Sequence, residues 1–464
     1  MAQHQRPAGR RYAFVGTGSR TRMYLAALLG THADVGYPVA FCDTNEARMA
    51  YYDRLVSDAR PGPAVPHYQA DDFELLLREA RPDVVVVTSP DATHATYVSR
   101  ALRHGVDVVV EKPMTVDVDG LRQIRDALAA GDAELIVTFN YRYSPRNTMV
   151  RRLIADGAIG EVTSVAFEWC LDTVHGADYF RRWHRDKATS GGLLIHKATH
   201  HFDLVNWWLA DTPSVVFALG GLRFYGSDNA RRRGLGPRPD RSRDGAAGDP
   251  FALDIAADDG LRELYRDGEH LDGYIRDLDV FSDGITIEDN LNVVVGYQRG
   301  ASMSYTLHAH SPWEGYRVAI NGTAGRIELD VVERGQVAAA SSGATIGAAT
   351  GATVVDPSAS DDDHGVGSAE LRPRGTRLLV QRHWEPAREV AIPAGQGGHG
   401  GGDAMLLDDV FRGHQADPLH RHAGFADGVA SILVGIAGNE SLRTGRAVRL
   451  DELGAPMSQP VRTR

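Results

Sequence analysis

Ionisable side chains are concentrated in one short segment of the chain, SGGLLIHKATHHFDLVNWWL at 190–209. Three histidines, a lysine and an aspartate lie close together there, and a bulky apolar run follows. A continuous helix over this segment would place His196 and His200 four positions apart on one face. Ionisable groups on a face that meets the core need partners, because burying them alone is costly.

These residue types allow three interpretations. A zinc site is the first, because His196, His200 and Asp203 lie at i, i+4 and i+7, and two histidines one turn apart are a familiar ligand pair. A proton-transfer site is the second, because an imidazole with a pKa of about 6.5 is suited to removing a hydroxyl proton near neutral pH. The third is a structural helix, in which His201 and Asp203 would be the structural polar residues.

The composition limits the classes of function. The chain has 464 residues, 43% of them hydrophobic, and a formal net charge of −11, which predicts two or three globular domains without a nucleic-acid partner. No apolar run approaches the ~18 residues that a membrane span needs, and the N-terminal residues lack a signal-peptide apolar core. Only Cys42 and Cys170 are present. We therefore expect a cytoplasmic protein without a disulfide framework or a cysteine-based zinc site.

Strand-like and helix-like segments alternate over the first ~140 residues. The strand-like segments are RYAFVG, PVAFCD, PDVVVVTSP, DVVVEKP and ELIVTFNY. The valine runs are too apolar to have one face in water, which suits strands buried on both sides of a parallel sheet. This alternation predicts an α/β domain with a doubly wound parallel sheet.

After Asn140 the pattern changes to short alternating strands. EVTSVAFEWCL, NLNVVVGY, ASMSYTLHA, YRVAING and GRIELDVVE are separated by turns that contain glycine. They predict an α+β domain with a large, mostly antiparallel open sheet, on which the segment 190–209 packs. Two stretches, 226–250 and 335–370, are rich in small or polar residues, and we expect them to be loops that are partly disordered.

A glycine turn follows the first predicted strand. Gly16 and Gly18 are followed by Ser19 and Arg20, where a helix opens. Glycines there permit a pyrophosphate to approach the helix N-terminus closely. The third position of the dinucleotide-binding fingerprint is Thr21 rather than glycine or alanine, so the turn alone is a weak signal and an ordinary strand–turn–helix is the alternative.

Two further strand ends favour a dinucleotide site. Asp43 ends the second predicted strand, where its carboxylate would accept hydrogen bonds from both ribose hydroxyls and repel a 2′-phosphate. This favours NAD over NADP. Ser89, Pro90, Asp91 and His94 lie after a later strand, at the carboxyl edge that faces ligands in such sheets.

The next strand ends in EKP, which holds Lys112 between Glu111 and Pro113 at the same edge. Together with VGTGSR, SPDATH, NYRYSP and GGLLIHKATHHFD, this motif resembles the Gfo/Idh/MocA oxidoreductases, relatives of glucose–fructose oxidoreductase and inositol dehydrogenase. NGTAGRIEL matches further along the chain. The combination in this order is specific, although each motif alone is not.

The resemblance implies a domain organisation and a ligand set. It implies an NAD(P)-binding Rossmann domain at 1–139 and a C-terminal α/β domain at 140–464 for substrate binding and oligomerisation, as a homodimer or homotetramer. It also implies a bound nicotinamide cofactor, NAD rather than NADP by the argument from Asp43, with Glu111 and Lys112 at its site. The implied substrate is a sugar, cyclitol or related polyol, and no metal is required.

The resemblance also assigns catalytic roles. Lys112 matches the family's catalytic lysine and His200 its catalytic histidine, while His196 occupies the position of the family's aspartate. His200 would take the hydroxyl proton and Lys112 would stabilise the developing alkoxide. His196 can supply a hydrogen bond but no fixed negative charge, so Asp203 and Asp403 are candidates for the missing carboxylate.

Other residues are predicted to contact the substrate. Tyr141 and Arg142 lie in NYRYSP at the domain junction, and Lys197 is either a substrate donor or a solvated side chain. The segment GQGGHGGGDAML contains His399 and Asp403 and precedes a helix, whose N-terminus favours a polar, anion-tolerant site. It resembles a segment of NAD-dependent glycosidases, and a flexible linker is the alternative.

We therefore expect an NAD-dependent oxidoreductase that transfers a hydride between nicotinamide and a secondary hydroxyl or ketone of a sugar, glycoside or cyclitol. The alternative is an NAD-dependent glycosidase that uses transient oxidation and elimination with no net redox change. It would need a further base, for which His399 and Tyr179 are candidates. A sugar- or nucleotide-binding protein without catalytic activity is a third possibility.

Overall fold

Two β-sheets organise the residues that the computed structural model describes, which are 9–246, 248–337, 372–395, 401–414 and 416–456. The first sheet comes from the N-terminal part of the chain and the second from the part after it. No helix in the described ranges is long and apolar enough to cross a membrane.

The first sheet has six parallel strands in the order β3-β2-β1-β4-β5-β6. Its strands are β1 (Arg10–Val15), β2 (Gly36–Asp43), β3 (His67–Gln69), β4 (Val84–Val87), β5 (Asp107–Val110) and β6 (Leu135–Val137). Its helices are α1 (Thr21–Leu29), α2 (Glu46–Ala59), α3 (Phe73–Glu79), α4 (His94–Arg103) and α5 (Val118–Ala129). All four residues of β4 are buried, as expected for a strand covered on both faces. The predicted doubly wound parallel sheet is confirmed.

The second sheet has nine strands in the order β14-β13-β12-β11-β7-β10-β9-β8-β15. Its strands are β7 (Val162–Asp172), β8 (Pro213–Gly221), β9 (Asn290–Tyr297), β10 (Ser302–Ser311), β11 (Glu314–Gly322), β12 (Gly325–Arg334), β13 (Gly375–Arg382), β14 (Arg388–Glu389) and β15 (Val448–Arg449). Only the pair β7 and β10 is parallel among the pairs described. The predicted large, mostly antiparallel sheet is therefore confirmed.

One face of this sheet is covered by helices. In β9 the buried residues Leu291, Val293 and Val295 alternate with more exposed ones, which is the pattern of a sheet with one wet face. The helices of this part of the chain are α6 (Pro145–Ala155), α7 (His175–Arg181), α8 (Lys187–Ser190), α9 (Leu193–His196), α10 (Thr199–Leu209), α11 (Ser227–Arg232), α12 (Asp259–Leu261), α13 (Glu269–Asp272), α14 (Asp403–Arg412) and α15 (Phe425–Thr444). The strands β8, β13, β14 and β15 were not predicted from the sequence.

The expected continuous helix over 190–209 is wrong, because the segment forms α9 and α10 with a break between them. In an unbroken helix the carbonyl of His196 would accept the amide of His200. Instead, Nζ of Lys112 donates to that carbonyl at 3.1 Å, and the amide of His200 donates to the carbonyl of Lys197 at 3.3 Å. His196 and His200 therefore belong to different elements.

The stretch 226–250 also differs from expectation, because its described residues are held in place rather than disordered. Arg241 donates from Nε to Asp277 at 2.9 Å and also pairs with Glu269, while Arg238 donates from Nε to Asp279 at 3.1 Å. Both aspartate side chains are fully buried. Ion pairs thus replace the apolar burial that the sequence of this stretch cannot provide. Most of the other predicted loop, 335–370, lies outside the described residues.

Arg142 does not line a substrate cleft, contrary to the prediction. It is only 2% exposed and donates from Nε to Asp203 at 2.8 Å and from Nη2 to Asp427 at 2.7 Å. Burial raises the pKa of Asp203 to about 7 although the guanidinium opposes the shift. Asp203, which was one candidate for the missing carboxylate, is therefore the internal partner of Arg142 and joins α10 to the start of the second domain.

We predict that Asp203→Ala lowers the free energy of unfolding by about 3–5 kcal/mol, because it leaves the buried guanidinium with one partly exposed carboxylate, Asp427, and two long hydrogen bonds to backbone carbonyls. Urea denaturation followed by circular dichroism measures this loss. The matched control is Asp451→Ala, which removes a carboxylate from a solvent-exposed pair with Arg449 and should leave the denaturation midpoint unchanged. Equal effects of the two substitutions would contradict the structural role of the Arg142 pair.

Candidate active site

One cavity of about 650 Å³ is lined by residues of the first domain, which contains the parallel sheet, and of the second domain, which contains the nine-stranded sheet. Most residues singled out in the sequence line it: Gly16, Gly18, Ser19, Arg20, Asp43, Ser89, Pro90, His94, Glu111, Lys112, Tyr141, His196, Lys197, His200 and Asp403. Arg142 does not, and His399 lies outside the described residues. The strand ends of the first sheet and the histidine segment of the second domain are thus brought to one place.

The glycine turn at the end of β1 has the geometry of a dinucleotide-binding loop. Gly16 has a φ of +83°, and a Cβ atom there would lie 2.4 Å from the backbone of Ser89, so only glycine fits. Thr21, which departs from the fingerprint, donates from its hydroxyl to the carbonyl of Gly16 at 2.6 Å. The threonine therefore fixes the turn from within. These residues fit the pyrophosphate of a nicotinamide dinucleotide.

A tyrosine from the second domain reaches this loop, which the sequence did not predict. The hydroxyl of Tyr265 accepts the backbone amide of Ser19 at 2.8 Å and lies 2.7 Å from the Ser19 hydroxyl. Nearby, Nδ2 of Asn45 donates to the carbonyl of Gly268 at 2.8 Å. The segment that carries Tyr265 is thereby held over the first domain beside the dinucleotide loop.

Asp43 is surrounded by donors at the end of β2. It accepts the Thr17 amide at 2.6 Å, the Asn45 amide at 2.9 Å and Nη2 of Arg48 at 2.8 Å. Arg48 also pairs with Asp272 from the second domain. This corner of the cavity therefore contains two carboxylates and one guanidinium, and its net charge is negative.

His94, one of the residues predicted to follow β4 at the ligand edge, connects two loops at the edge of the cavity. The two ring nitrogens of His94 lie 2.7 Å from the carbonyl oxygen of Pro113 and 2.8 Å from that of Ser89. Burial lowers the pKa of His94, although the two carbonyl oxygens act in the opposite direction, and the neutral ring can donate to only one of them at a time. His94 therefore holds the EKP turn against the Ser89–Pro90 turn, and its ring acts as a spacer between them.

Glu111 neutralises the cations beside it. It accepts Nε of Arg20 at 2.5 Å and the hydroxyl of Tyr24 at 2.6 Å. Burial acts to raise the pKa of Glu111, but Arg20 and Lys112 outweigh it and the pKa lies below its ordinary value. Glu111 is thus a buried carboxylate that fixes Arg20 at the mouth of the glycine loop.

Lys112 occupies the centre of the cavity. Its Nζ donates to the backbone carbonyl of His196, across the interface between the two domains. Burial lowers the pKa of Lys112 to about 8, although Asp91 and Glu111 act in the opposite direction. The side chain therefore gains or loses its proton close to physiological pH, a property typical of functional lysines.

His196 has a carboxylate partner that the sequence analysis did not assign to it. Nδ1 of His196 lies 2.6 Å from Asp91, and the ring of His184 lies 4.2 Å from the His196 ring. Burial raises the pKa of Asp91 and lowers the pKa of His196 well below its ordinary value. Both shifts favour uncharged forms, so the two groups share a proton and the pair has no net charge.

The wall around His200 is aromatic and cationic. The His200 ring stacks on Tyr141 at 4.4 Å, and Nζ of Lys197 donates to the Tyr141 hydroxyl at 3.3 Å and lies 5.1 Å from the centre of the Trp169 ring. Asp403 accepts Nδ2 of Asn140 at 2.8 Å. Lys197 is therefore a buried cavity residue, and the alternative of a solvated side chain is wrong.

The zinc interpretation does not fit this geometry. Asp203 faces Arg142, and Nδ1 of His196 faces Asp91, so the three residues at i, i+4 and i+7 do not converge. Across the described ranges, no group of three or more histidine, cysteine or acidic side chains is arranged to hold a metal ion.

Several cavity residues were missed because nothing in the sequence indicated their position. His175, Asp178, Arg182 and His184 lie on or just after α7 and line the cavity. Tyr179 lines it too, and it was already a candidate base from the sequence. The only signal available was the density of aromatic and ionisable residues in DYFRRWH, which is equally compatible with a surface helix.

Comparison with known proteins agrees with this geometry. Residues 10–139 match the family model described as "Oxidoreductase family, NAD-binding Rossmann fold", and residues 151–450 match "Oxidoreductase family, C-terminal alpha/beta domain". The Bacillus subtilis (strain 168) protein named "Putative oxidoreductase YteT" is 35% identical over 401 residues, which are 84% of this chain and 86% of YteT. The chain therefore belongs to the Gfo/Idh/MocA oxidoreductase family.

Two other similarities are more limited. A glycosyl hydrolase family 109 protein of Saccharopolyspora erythraea is 30% identical over 184 residues, 38% of this chain and 39% of that protein. The crystal structure of aldose–aldose oxidoreductase from Caulobacter crescentus, complexed with glycerol, superimposes with a TM-score of 0.60 at 16% identity. The superposition covers 95% of this chain and 99% of the Caulobacter protein, and at 16% sequence identity it shows only that the two share a fold.

We predict that Gly16→Ala weakens NADH binding by roughly tenfold or more, because the added Cβ meets the Ser89 backbone in a left-handed conformation. Fluorescence titration with NADH measures the affinity. The matched control is Gly105→Ala, which has a similar φ of +72° but no atom within 4 Å of the added Cβ. Undiminished binding by the Gly16 variant would exclude this turn as the dinucleotide loop.

Proposed function

We propose that this protein transfers a hydride between NAD and a secondary hydroxyl or ketone of a sugar, glycoside or cyclitol. The observation that supports this most directly is that Lys112, His196 and His200 line the same cavity as the Gly16–Gly18 turn. A bound NAD supplies a hydride acceptor. The chain must then hold the hydroxyl, remove its proton and stabilise the charge that develops on its oxygen.

In this proposal His200 takes the hydroxyl proton. Its ring is held flat against Tyr141 and belongs to α10, a helix buried along its whole length. A fixed imidazole in a cavity removes a proton more efficiently than a mobile one, because its orientation does not have to be established during the reaction.

Lys112 stabilises the developing alkoxide. In its ammonium form Nζ has three donors, and among the described residues the carbonyl of His196 accepts one of them. The remaining donors can meet the substrate oxygen in a cavity where the low dielectric strengthens the interaction. Lys197 is placed close to Tyr141 and is a second donor for substrate hydroxyls.

The pair of Asp91 and His196 takes the place of the aspartate that the family has at position 196. The carboxyl group now comes from the first domain and acts through an imidazole. Because the pair is neutral as a whole, it orients the substrate oxygen by hydrogen bonding without adding negative charge beside Lys112.

A second candidate function is a glycosidase that uses transient oxidation. The similarity to a family 109 glycosyl hydrolase, 30% identical over 184 residues, favours it. Such an enzyme would use the same hydride-transfer residues and then need a further base and a retained cofactor. Lys112 and His200 therefore cannot distinguish the two functions, and product analysis must do so.

We also propose a homo-oligomer in the cytoplasm. Both cysteines are free and buried, which suits a reducing compartment. The outer face of the second sheet exposes Leu219 and Val294 on the neighbouring strands β8 and β9. Apolar side chains on an open sheet face are suited to contact with a second copy of the chain.

The test of the proposed function is to incubate the protein with NAD and a panel of sugars, cyclitols and 4-nitrophenyl glycosides, following NADH and nitrophenol together. Stoichiometric NADH with an intact aglycone supports the oxidoreductase. Nitrophenol released over many turnovers without NADH supports the glycosidase. For either, Lys112→Ala and His200→Ala should each lower kcat by roughly 100-fold or more while NADH binding persists.

The pH profile gives a further check on Lys112. Because its pKa is lowered to about 8, the ammonium is present below that pH and lost above it. We expect kcat/KM to decline above about pH 8, and Lys112→Arg, which keeps its charge, to lack that decline. Lys187→Ala, which removes a lysine outside the cavity, should keep the native profile.

We predict that NADH binds at least about tenfold more tightly than NADPH, because a 2′-phosphate would enter the negative corner formed by Asp43, Arg48 and Asp272. Titration with both reduced cofactors measures the ratio. Asp43→Ala should reduce the ratio of NADH affinity to NADPH affinity. Asp126→Ala, at an exposed site on α5, should leave that ratio unchanged. Equal affinities of the native protein for both cofactors would refute this preference.

A further inference from the structure

One wall of the cavity carries more positive than negative charge. Asp178, on α7, is shared by two arginines, since it accepts Nη1 of Arg182 at 2.9 Å and Nη1 of Arg276 at 3.0 Å. Burial acts to raise the pKa of Asp178, but Arg276 and Arg182 outweigh it and the pKa lies below its ordinary value. Asp178 is therefore a carboxylate, and this cluster of one carboxylate and two guanidinium groups has one positive charge in excess.

The excess charge faces the cavity through Arg182. The side chain of Arg276 is fully buried, whereas that of Arg182 is 19% exposed and lines the cavity. A charge in a low-dielectric wall is costly unless an opposite charge compensates it. A ligand with one negative charge would supply that compensation at Arg182.

Arg182 adjoins the residues assigned to the reaction. The two residues after it, Trp183 and His184, place their ring centres 5.6 Å and 4.2 Å from that of His196. Burial lowers the pKa of His196, and Lys112, His184 and Arg182 act in the same direction, which requires them to lie close to the ring. An anionic group bound at Arg182 would therefore lie near a hydroxyl held at His196.

The other acidic residues at the reacting end do not cancel this positive charge. Asp91 shares a proton with His196, and Glu111 is paired with Arg20, so neither pair has a net charge. The third acidic residue, Asp403, is outnumbered by the two lysines that line the cavity. The negative corner of the cavity is formed at the end of β2 instead, so an anionic group is favoured beside the histidines.

We propose that the substrate is a hexuronic acid, free or glycosidic, whose carboxylate binds Arg182. This inference rests on the proposed function, because it names the substrate class of the same site. A carboxylate matches the planar guanidinium, with which it forms short charge-assisted hydrogen bonds. Its single negative charge also equals the excess charge of the cluster, whereas a phosphate monoester carries about 1.5–2.

The test compares each neutral sugar with its acid. Glucose, galactose and mannose, free and as methyl glycosides, are paired with the corresponding uronic acids and 6-phosphates and assayed with NAD. We expect kcat/KM for at least one uronic acid to exceed that of its neutral partner roughly tenfold or more, mainly through KM, which is the scale of a hydrogen bond to a charged group. Quenching of the fluorescence of bound NADH measures the affinity for the same compounds without hydride transfer.

Substitution of Arg182 separates charge recognition from a general effect on the cavity. Arg182→Gln should reduce the ratio of uronate to neutral-sugar affinity to about one, while NADH and the neutral sugars bind as before. Arg182→Lys, which keeps the charge, should restore part of that ratio. The matched control is Arg421→Gln, because Arg421 is 21% exposed and also pairs with an aspartate four residues away, but lies outside the cavity. It should leave the ratio unchanged.

The outcomes distinguish this inference from the proposed function. Uronic acids that bind no better than the neutral sugars, a preference for the 6-phosphates, or an unchanged ratio in Arg182→Gln overturns the inference and leaves hydride transfer in place. Weaker NADH binding by that variant with an unchanged ratio assigns the guanidinium to the pyrophosphate of the cofactor and also overturns it. Selective binding of uronic acids without hydride transfer supports the carboxylate site and overturns the proposed oxidoreductase. Absence of binding by every compound overturns the inference.

Discussion

The hydrogen bond from Nζ of Lys112 to the carbonyl of His196 is the contact on which the rest of the site depends. It joins the end of β5 to the second domain and ends α9 by taking the carbonyl that an unbroken helix would use. Two short elements then position the two histidines independently. His196 is fixed by Asp91, and His200 is fixed by the ring of Tyr141.

Burying so many ionisable groups is possible because those at the periphery are paired. Arg20 is neutralised by Glu111, and Arg48 by Asp43 and Asp272. Charge that is fixed in this way shifts little with pH, so it can hold the loops without interfering with proton transfer. In the cavity, Asp91, Lys112 and His196 have strongly shifted pKa values, because their burial is not fully compensated. Such a distribution is typical of sites that move protons.

The fold was largely predictable because its strongest signals are local. The valine runs of β4 and β5 and the alternation in β9 are readable from the chain alone. The glycine turn, Asp43 and Lys112 were placed by their position at the ends of strands, which in a parallel sheet share one edge. The strands β8 and β13 were missed because their apolar residues do not alternate cleanly.

The missed parts of the site depend on contacts between distant residues. Asp91 and His196 are separated by 105 positions, and no local pattern could indicate that they are partners. Arg142 was wrongly included in the site, because a polar residue at a domain junction was expected to face the cleft. Asp203 and Asp427 enclose it instead, and both partners come from helices that the fold brings together.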